Sequence, residues 1–102
     1  MSQPAHLVVL YHAPKDPEAF EKYYAETHLP LLDKHAKEIG FTSGVLVKFV
    51  SNSPFYRKAE LTFASMDALK KGTQTPGFKA VADDIPRFAS GGYAALTGLE
   101  TE

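Results

Sequence analysis

The sequence of 102 residues contains no cysteine, and no stretch of it approaches the apolar length of a membrane span. Without cysteine, disulfides, thiolate chemistry and cysteine-ligated zinc are excluded. A helix needs about 20 consecutive apolar residues to cross a bilayer, so the sequence predicts no membrane partner. Neither sign of charge is in excess, since 11 basic residues stand against 12 acidic ones. That balance does not fit the basic surface of a nucleic-acid-binding protein.

Signals for a cofactor, a metal or export are missing as well. No Gly-x-Gly-x-x-Gly pattern indicates a dinucleotide, and residues 72–79 do not place lysine directly after glycine as a phosphate loop would. His28 and His35 are too far apart for a shared metal, since their spacing is about 10.5 Å along a helix. We therefore predict neither a cofactor nor a metal. The N-terminus lacks the basic region of a secretory signal, so we expect a cytoplasmic protein.

The residues that are present predict one globular domain over residues 1–102, with 44% hydrophobic residues. Short apolar runs rich in Val, Leu, Tyr and Phe predict strands at residues 6–12, 41–51, 55–64 and 91–100. N-cap residues, two of them followed by proline, predict helices at residues 16–35, 66–71 and 75–85. The order β-α-β-β-α-β is that of an α+β, ferredoxin-like fold. It has a four-stranded antiparallel sheet with its helices on one face.

The second and third strands are expected to form a hairpin, because residues 51–54 read Ser-Asn-Ser-Pro, which is turn chemistry. Placing Lys48 opposite Glu60 pairs opposite charges across the hairpin. A shift of two residues opposes Lys48 and Lys58 instead. We therefore predict the register in which Lys48 faces Glu60.

The first strand is apolar on both faces. Leu7, Val9 and Tyr11 share one face, and Val8 and Leu10 share the other. Helices can cover only one face of the sheet, so the other needs a partner. For a chain of this length a second copy is the simplest partner, and we predict a homodimer joined through its sheet faces.

The segment 16–35 carries the best candidate for a functional site. Tyr24 lies on the apolar stripe of the predicted helix, and His28 follows one turn later on its shoulder. Pro30 removes a backbone donor, which predicts a kink or break near His28. Histidine titrates near neutrality, so His28 is the candidate for proton transfer and Tyr24 for orienting it or the ligand. Alternatively, His28 is structural and caps the backbone groups that Pro30 leaves free.

Aromatic residues from four predicted elements form a second candidate set: Tyr11, Tyr24, Phe63 and Phe78. Core packing explains each of them alone. Together they could instead line an apolar pocket that carries two hydroxyl groups. We predict ligand contacts from Tyr11, Leu31, Phe63 and Phe78.

The sequence resembles the EthD family of dimeric α/β-barrel proteins, named for a component of ethyl tert-butyl ether degradation. The similarity is carried by Phe20, Tyr23-Tyr24, Thr27-His28-Leu29-Pro30-Leu31 and the final segment Gly92-Tyr93-Ala94-Ala95. The resemblance implies a dimer in which two four-stranded sheets face each other to close a barrel. It also implies a small-molecule pocket between each sheet and its own helices.

Two classes of function follow from the residues and the resemblance. The first is a cofactor-independent enzyme of oxidoreductase, isomerase or cyclase type, with His28 as acid/base. Its substrate is a small apolar or aromatic compound in a degradation or secondary-metabolite pathway. The second is a non-catalytic binding or accessory protein for such a compound or for a partner oxidoreductase. The second is favoured by the fact that no carboxylate partner for His28 is evident in the sequence.

Overall fold

The computed structural model describes residues 3–101 and contains one antiparallel sheet of four strands. The strands are β1 (Ala5–His12), β2 (Ser43–Lys48), β3 (Phe55–Phe63) and β4 (Tyr93–Leu99), in the spatial order β2-β3-β1-β4. The two central strands are therefore β1 and β3, and the last strand pairs with the first. This topology confirms the predicted α+β, ferredoxin-like class. No helix among residues 3–101 is long and apolar enough to cross a membrane.

Helical segments connect the strands on one side of the sheet. They are α1 (Pro17–Tyr23), a π-helical turn (Tyr24–His28), α2 (Leu29–Lys34), α3 (Ala36–Ile39), α4 (Met66–Gly72), α5 (Pro76–Asp84) and a 3₁₀ turn (Ile85–Arg87). The predicted caps are in place, since the side chains of Asp16, Ser65 and Thr75 each accept a backbone N–H three residues later. Gly40 ends α3 with φ 82°, a left-handed conformation that favours glycine.

The segment predicted as one helix over residues 16–35 is interrupted where Pro30 requires it. The N–H of Leu29 donates to the carbonyl of Tyr24, five residues earlier, and so widens the turn that ends at His28. Pro30 has no N–H and its ring crowds the preceding turn, which a regular helix cannot absorb. The predicted irregularity near His28 is confirmed, as a π-helical turn. A second break follows at His35, where the backbone leaves helical geometry before α3 begins.

The core lies between the helices and the odd-numbered positions of β1 and β3. One cluster gathers aliphatic side chains around Phe63, and a second is mainly aromatic and lies around Phe20. Even-numbered positions point to the opposite, outer face, as the alternation of side chains along a strand requires. Ala5 and Leu7 are accordingly buried, whereas Val8 and Leu10 are only partly covered.

The predicted register of the hairpin is wrong. Lys48 pairs with Arg57, and Glu60 pairs with Val45, so the strands are offset by an odd number of residues from both registers considered. Lys48 needs no cross-strand carboxylate because its ammonium lies 3.6 Å from the carboxylate of Glu21 on α1. The carboxylate that pairs with Lys48 thus comes from a helix and not, as predicted, from the neighbouring strand.

The outer face of the sheet carries exposed apolar side chains and one small polar group. Val45 and Leu96 are each 52% exposed there. Near the start of β1, the His6 ring lies 3.0 Å from Glu60 and 2.7 Å from Glu100, and Lys58 lies 3.1 Å from Glu60. The charges are therefore paired with one another, and the surrounding surface is one that a partner can cover.

We expect Thr75 to set the stability of α5. Its hydroxyl accepts the N–H of Phe78 at 3.1 Å and donates to the carbonyl of Gly72 at 2.8 Å. Thr75→Ala removes both bonds and should lower the free energy of unfolding by about 1 kcal/mol. Thr75→Ser keeps the hydroxyl and serves as the control. Urea denaturation of both variants checks this, and equal losses in the two would contradict the capping role.

Candidate active site

An apolar pocket lies between the sheet and the helices. Its volume is about 50 Å³. The sheet contributes Leu7, Val9, Tyr11, Ala59 and Leu61, and the helical segments contribute His28, Leu32, Phe78, Val81, Ala82 and Ile85. Among these lining side chains only those of Tyr11 and His28 carry polar groups. A ligand in the pocket therefore meets an apolar wall with a histidine in it.

His28 is held by a carboxylate from the other helical layer. Its Nδ1 lies 3.0 Å from Oδ2 of Asp84, the last residue of α5, and the phenol of Tyr23 donates to Oδ1 of Asp84 at 2.7 Å. His28 is 4% exposed and Asp84 is 6% exposed. Because a carboxylate only accepts, Nδ1 carries the proton of this bond, which leaves Nε2 as the ring nitrogen available to a bound molecule.

Burial and hydrogen bonding together set the protonation of the pair. Burial lowers the pKa of His28 by more than the hydrogen bond and charge of Asp84 raise it, so the imidazole is neutral at neutral pH. Burial also acts to raise the pKa of Asp84. The hydrogen bonds from Tyr23 and His28, together with smaller electrostatic contributions from His28 and Arg87, outweigh that effect, and the net pKa of Asp84 lies below its ordinary value. The site thus combines a neutral imidazole with an ionised carboxylate, which is the arrangement of an oriented base.

The π-helical turn explains how Tyr23 and His28 both reach Asp84. In a regular helix two residues five positions apart are about 140° apart around the axis. The wider turn between them closes a hydrogen bond over five residues and brings such positions closer to one face. The irregularity caused by Pro30 is therefore part of the site.

Aromatic rings enclose the pair from the other side. The His28 ring stacks on Tyr24 at 5.8 Å between centroids and lies 4.6 Å from Phe88. The guanidinium of Arg57 lies 5.1 Å from the centre of the Tyr24 ring and binds Glu21 through two hydrogen bonds. The hydroxyl of Tyr24 is buried and has no hydrogen-bond partner among residues 3–101. Burial raises the pKa of Tyr24 to about 12.

The predicted site residues fall into three groups. Tyr11, His28 and Phe78 meet at the pocket. Tyr24 touches the His28 ring but is not among the lining residues. Leu31 and Phe63 belong to the aliphatic core cluster and do not line this pocket. The bond from His28 goes to Asp84, so the alternative in which His28 caps backbone groups freed by Pro30 is wrong.

Asp84 and Tyr23 were not predicted. Asp84 carries a signal that could have identified it, because Asp83 and Asp84 both lie at the C-terminal end of a helix, where negative charge is disfavoured. Asp83 is exposed and paired with Lys79 at 2.7 Å, whereas Asp84 points inward. Tyr23 carries no comparable signal, since a regular helical period places it off the buried stripe.

The fold and the site define a class: a small ferredoxin-like α+β protein with a histidine–aspartate pair at an apolar pocket beneath its helices. Residues 12–92 match the EthD domain, and the chain belongs to the EthD family. A relative from Rhodococcus erythropolis is an uncharacterized 11.0 kDa protein in the thcB-thcC intergenic region. It is 31% identical over 91 residues, 88% of each chain. An EthD family protein from Bacillus halodurans is 27% identical, with a TM-score of 0.86, covering 96% of this chain and 99% of its own.

Two more distant structures share the fold. SnoaB, a cofactor-independent oxygenase from Streptomyces nogalater, has a TM-score of 0.66 at 18% identity, covering 99% of this chain and 94% of SnoaB. A dimeric ferredoxin-like protein of unknown function from Thermobifida fusca has a TM-score of 0.72 at 10% identity, covering 98% of this chain and 93% of that one. At these identities the similarity establishes the fold alone. Together with the family match, it confirms the predicted resemblance and architecture.

The two adjacent tyrosines should respond differently to loss of the hydroxyl. Tyr23→Phe removes a donor to the buried carboxylate of Asp84, so the free energy of unfolding should fall. Tyr24→Phe removes a hydroxyl that has no partner in the described chain. It should change the free energy of unfolding by no more than about 0.5 kcal/mol, or raise it. Urea denaturation at pH 7 compares the two, and a larger loss for Tyr24→Phe would contradict the assignment.

Proposed function

We propose that the protein is a small-molecule enzyme in which His28 acts as a general base on an apolar or aromatic compound. The observation that carries the proposal is the His28–Asp84 hydrogen bond of 3.0 Å on the wall of an apolar pocket. Asp84 fixes the tautomer and leaves Nε2 free to accept a proton. Asp84 is in turn held by Tyr23, so the ring has one preferred orientation.

The chemistry is proton abstraction. A proton leaves an acidic C–H or O–H of the substrate for Nε2 of His28, and the bonding electron pair stays on the substrate as an enolate or phenolate. The imidazolium that forms is stabilised by the charge of Asp84. This step requires no cofactor, and it is shared by the isomerase, cyclase and oxygenase types expected from the resemblance.

A second function, binding without turnover, is supported by the composition of the pocket. Tyr11 is the only other lining side chain with a polar group, and burial raises the pKa of its hydroxyl. The lining therefore offers one base and no acid with a pKa near neutrality. A carrier or accessory protein needs no more than a hydrogen bond from the ligand to Nε2 of His28.

We expect the protein to catalyse hydrogen–deuterium exchange at the activated methylene of 2-tetralone in D₂O. Proton abstraction by one positioned base contributes about 10²–10⁴-fold, so His28→Gln should lose about that factor. His35→Gln is the control, since His35 is half-buried at the end of α2 with its nearest carboxylate at 3.7 Å. Mass spectrometry measures the exchange. Equal rates for His28→Gln and the unmodified protein would refute the role of His28 as the general base. Binding of 2-tetralone without exchange would instead support the second function.

The pH profile of the exchange rate should have an acid limb, a region at low pH in which the rate falls. The pKa of His28 lies below its ordinary value of about 6.5, so the exchange rate should be level above that pH and fall below the depressed pKa as the imidazole takes up a proton. The bond and charge of Asp84 raise the pKa of His28. Asp84→Asn should therefore move the limb to lower pH and slow the exchange, because the base becomes weaker.

We propose further that the working unit is a homodimer joined through the outer faces of the sheets. The proposal is supported by the exposed apolar side chains of Val45 and Leu96 on that face. It is also supported by the dimeric protein of the same fold from Thermobifida fusca. Covering such a face stabilises by about 25 cal/mol per Å² of apolar surface.

Leu96 and Leu99 provide a matched test of the dimer, since they lie on the same strand and face opposite sides of the sheet. Leu96 pairs with Val8, and Leu99 pairs with the buried Ala5. Leu96→Glu places a charge in the proposed interface and should shift sedimentation towards the monomer. Leu99→Glu, on a side chain 43% exposed, should not. A monomeric unmodified protein at micromolar concentration would refute the dimer.

A further inference from the structure

The pocket beside His28 is too small for the body of an aromatic compound. Its volume is about 50 Å³. A cavity of about 150 Å³ is known to hold benzene, and single waters need about 10–15 Å³. The His28 pocket therefore has room for a functional group and a few neighbouring atoms. This inference rests on the proposed function in one respect, that the reacting group of the ligand lies against His28.

Two clefts adjoin the pocket and could hold the rest of the ligand. The α2–β2 cleft has a volume of about 260 Å³ and shares Leu32 and Leu61 with the pocket. The α4–α5 cleft has a volume of about 480 Å³ and shares Phe78 and Ala82 with it. Each cleft thus borders the pocket at two shared side chains.

The lining of the clefts decides between them. The α2–β2 cleft is lined by Leu29, Leu32, Phe41, Gly44, Leu46 and Leu61, with Asp33 as its one charged group. The α4–α5 cleft is lined mainly by polar residues, Thr73, Gln74, Thr75 and Lys79 among them. An apolar ring system gains about 25 cal/mol for each Å² of apolar surface that it buries, and the α2–β2 cleft requires it to desolvate one polar side chain rather than four.

The segment that separates the pocket from the α2–β2 cleft is a short helix. Leu32 belongs to α2, a six-residue helix with no fully buried residue. It is bounded by the π-helical turn on one side and by the break at His35 on the other. Its side chain lies one turn after His28, between the base and the outer cleft. Leu32 can therefore shift without unfolding a long helix.

We infer that the pocket and the α2–β2 cleft form one ligand channel, gated by Leu32. Its ligand is an elongated, neutral, apolar molecule. The ring system lies against Leu46 and Phe41, and one acidic group passes between Leu32 and Leu61 to His28. Asp33 at the outer end disfavours a ligand with negative charge there. Leu32 is thus a specificity-determining residue and Leu46 belongs to a distal subsite.

The test uses 2-naphthol, a two-ring compound with one acidic hydroxyl. Fluorescence titration measures the affinity of the protein for it. Leu46→Ala should weaken binding about three- to tenfold, because part of the ring contact is lost. Leu32→Trp fills the gate and should weaken it more than about tenfold. Gln74→Ala is the control, since Gln74 is exposed and lines only the polar cleft. It should bind as the unmodified protein does.

Four results would overturn the channel. The first is that 2-naphthol does not bind to the unmodified protein. The second is that its affinity is unchanged in both leucine variants. The third is that affinity is lost in Gln74→Ala but not in Leu46→Ala. The fourth is a changed sedimentation of Leu46→Ala with unchanged affinity, which would show that a second copy covers the cleft. Binding that depends on Leu46 and Leu32 supports the channel even where 2-tetralone exchange fails, so this inference and the proposed catalysis fail separately.

Discussion

Asp84 lies buried at the last position of α5, where the C-terminal carbonyl groups of the helix add negative potential to its own charge. A buried carboxylate without partners costs several kcal/mol, so Asp84 is tolerable only because Tyr23 and His28 both donate to it. These donors come from the first helical connection, and the acceptor comes from the second. The bonds that offset the burial of Asp84 therefore also join the two helical connections above the sheet and fix the imidazole of His28.

The donors reach the same carboxylate because the helix is not regular. Pro30 forces a wider turn over Tyr24–His28, and this turn changes the angle between Tyr23 and the residues after it. A regular helix would keep Tyr24 and His28 on neighbouring positions of one stripe and turn Tyr23 away. The irregular backbone aligns two side chains that donate hydrogen bonds to Asp84. These bonds offset the free-energy cost of the irregular turn.

Much of this follows from local features of the sequence. The order of helices and strands along the chain, the three helix caps and the disturbance before Pro30 depend on neighbouring residues, and His28 was identified from its place beside that disturbance. The partnership of His28 with Asp84 spans 56 positions, so periodicity and spacing could not supply it. Tyr23 was missed because the helical period was taken as regular. The hairpin register was wrong because Glu21, on a different element, supplies the charge that Lys48 was expected to find across the strand.

The size of the pocket has its own cause in the sequence. Its wall consists of large side chains except at Ala59 on β3 and Ala82 on α5, which come from opposite layers. Interiors otherwise pack to crystal-like density, so a void persists where small residues from facing layers meet. Neither alanine takes part in the hydrogen bond between His28 and Asp84. The His28–Asp84 pair and the space beside it are therefore specified by different residues.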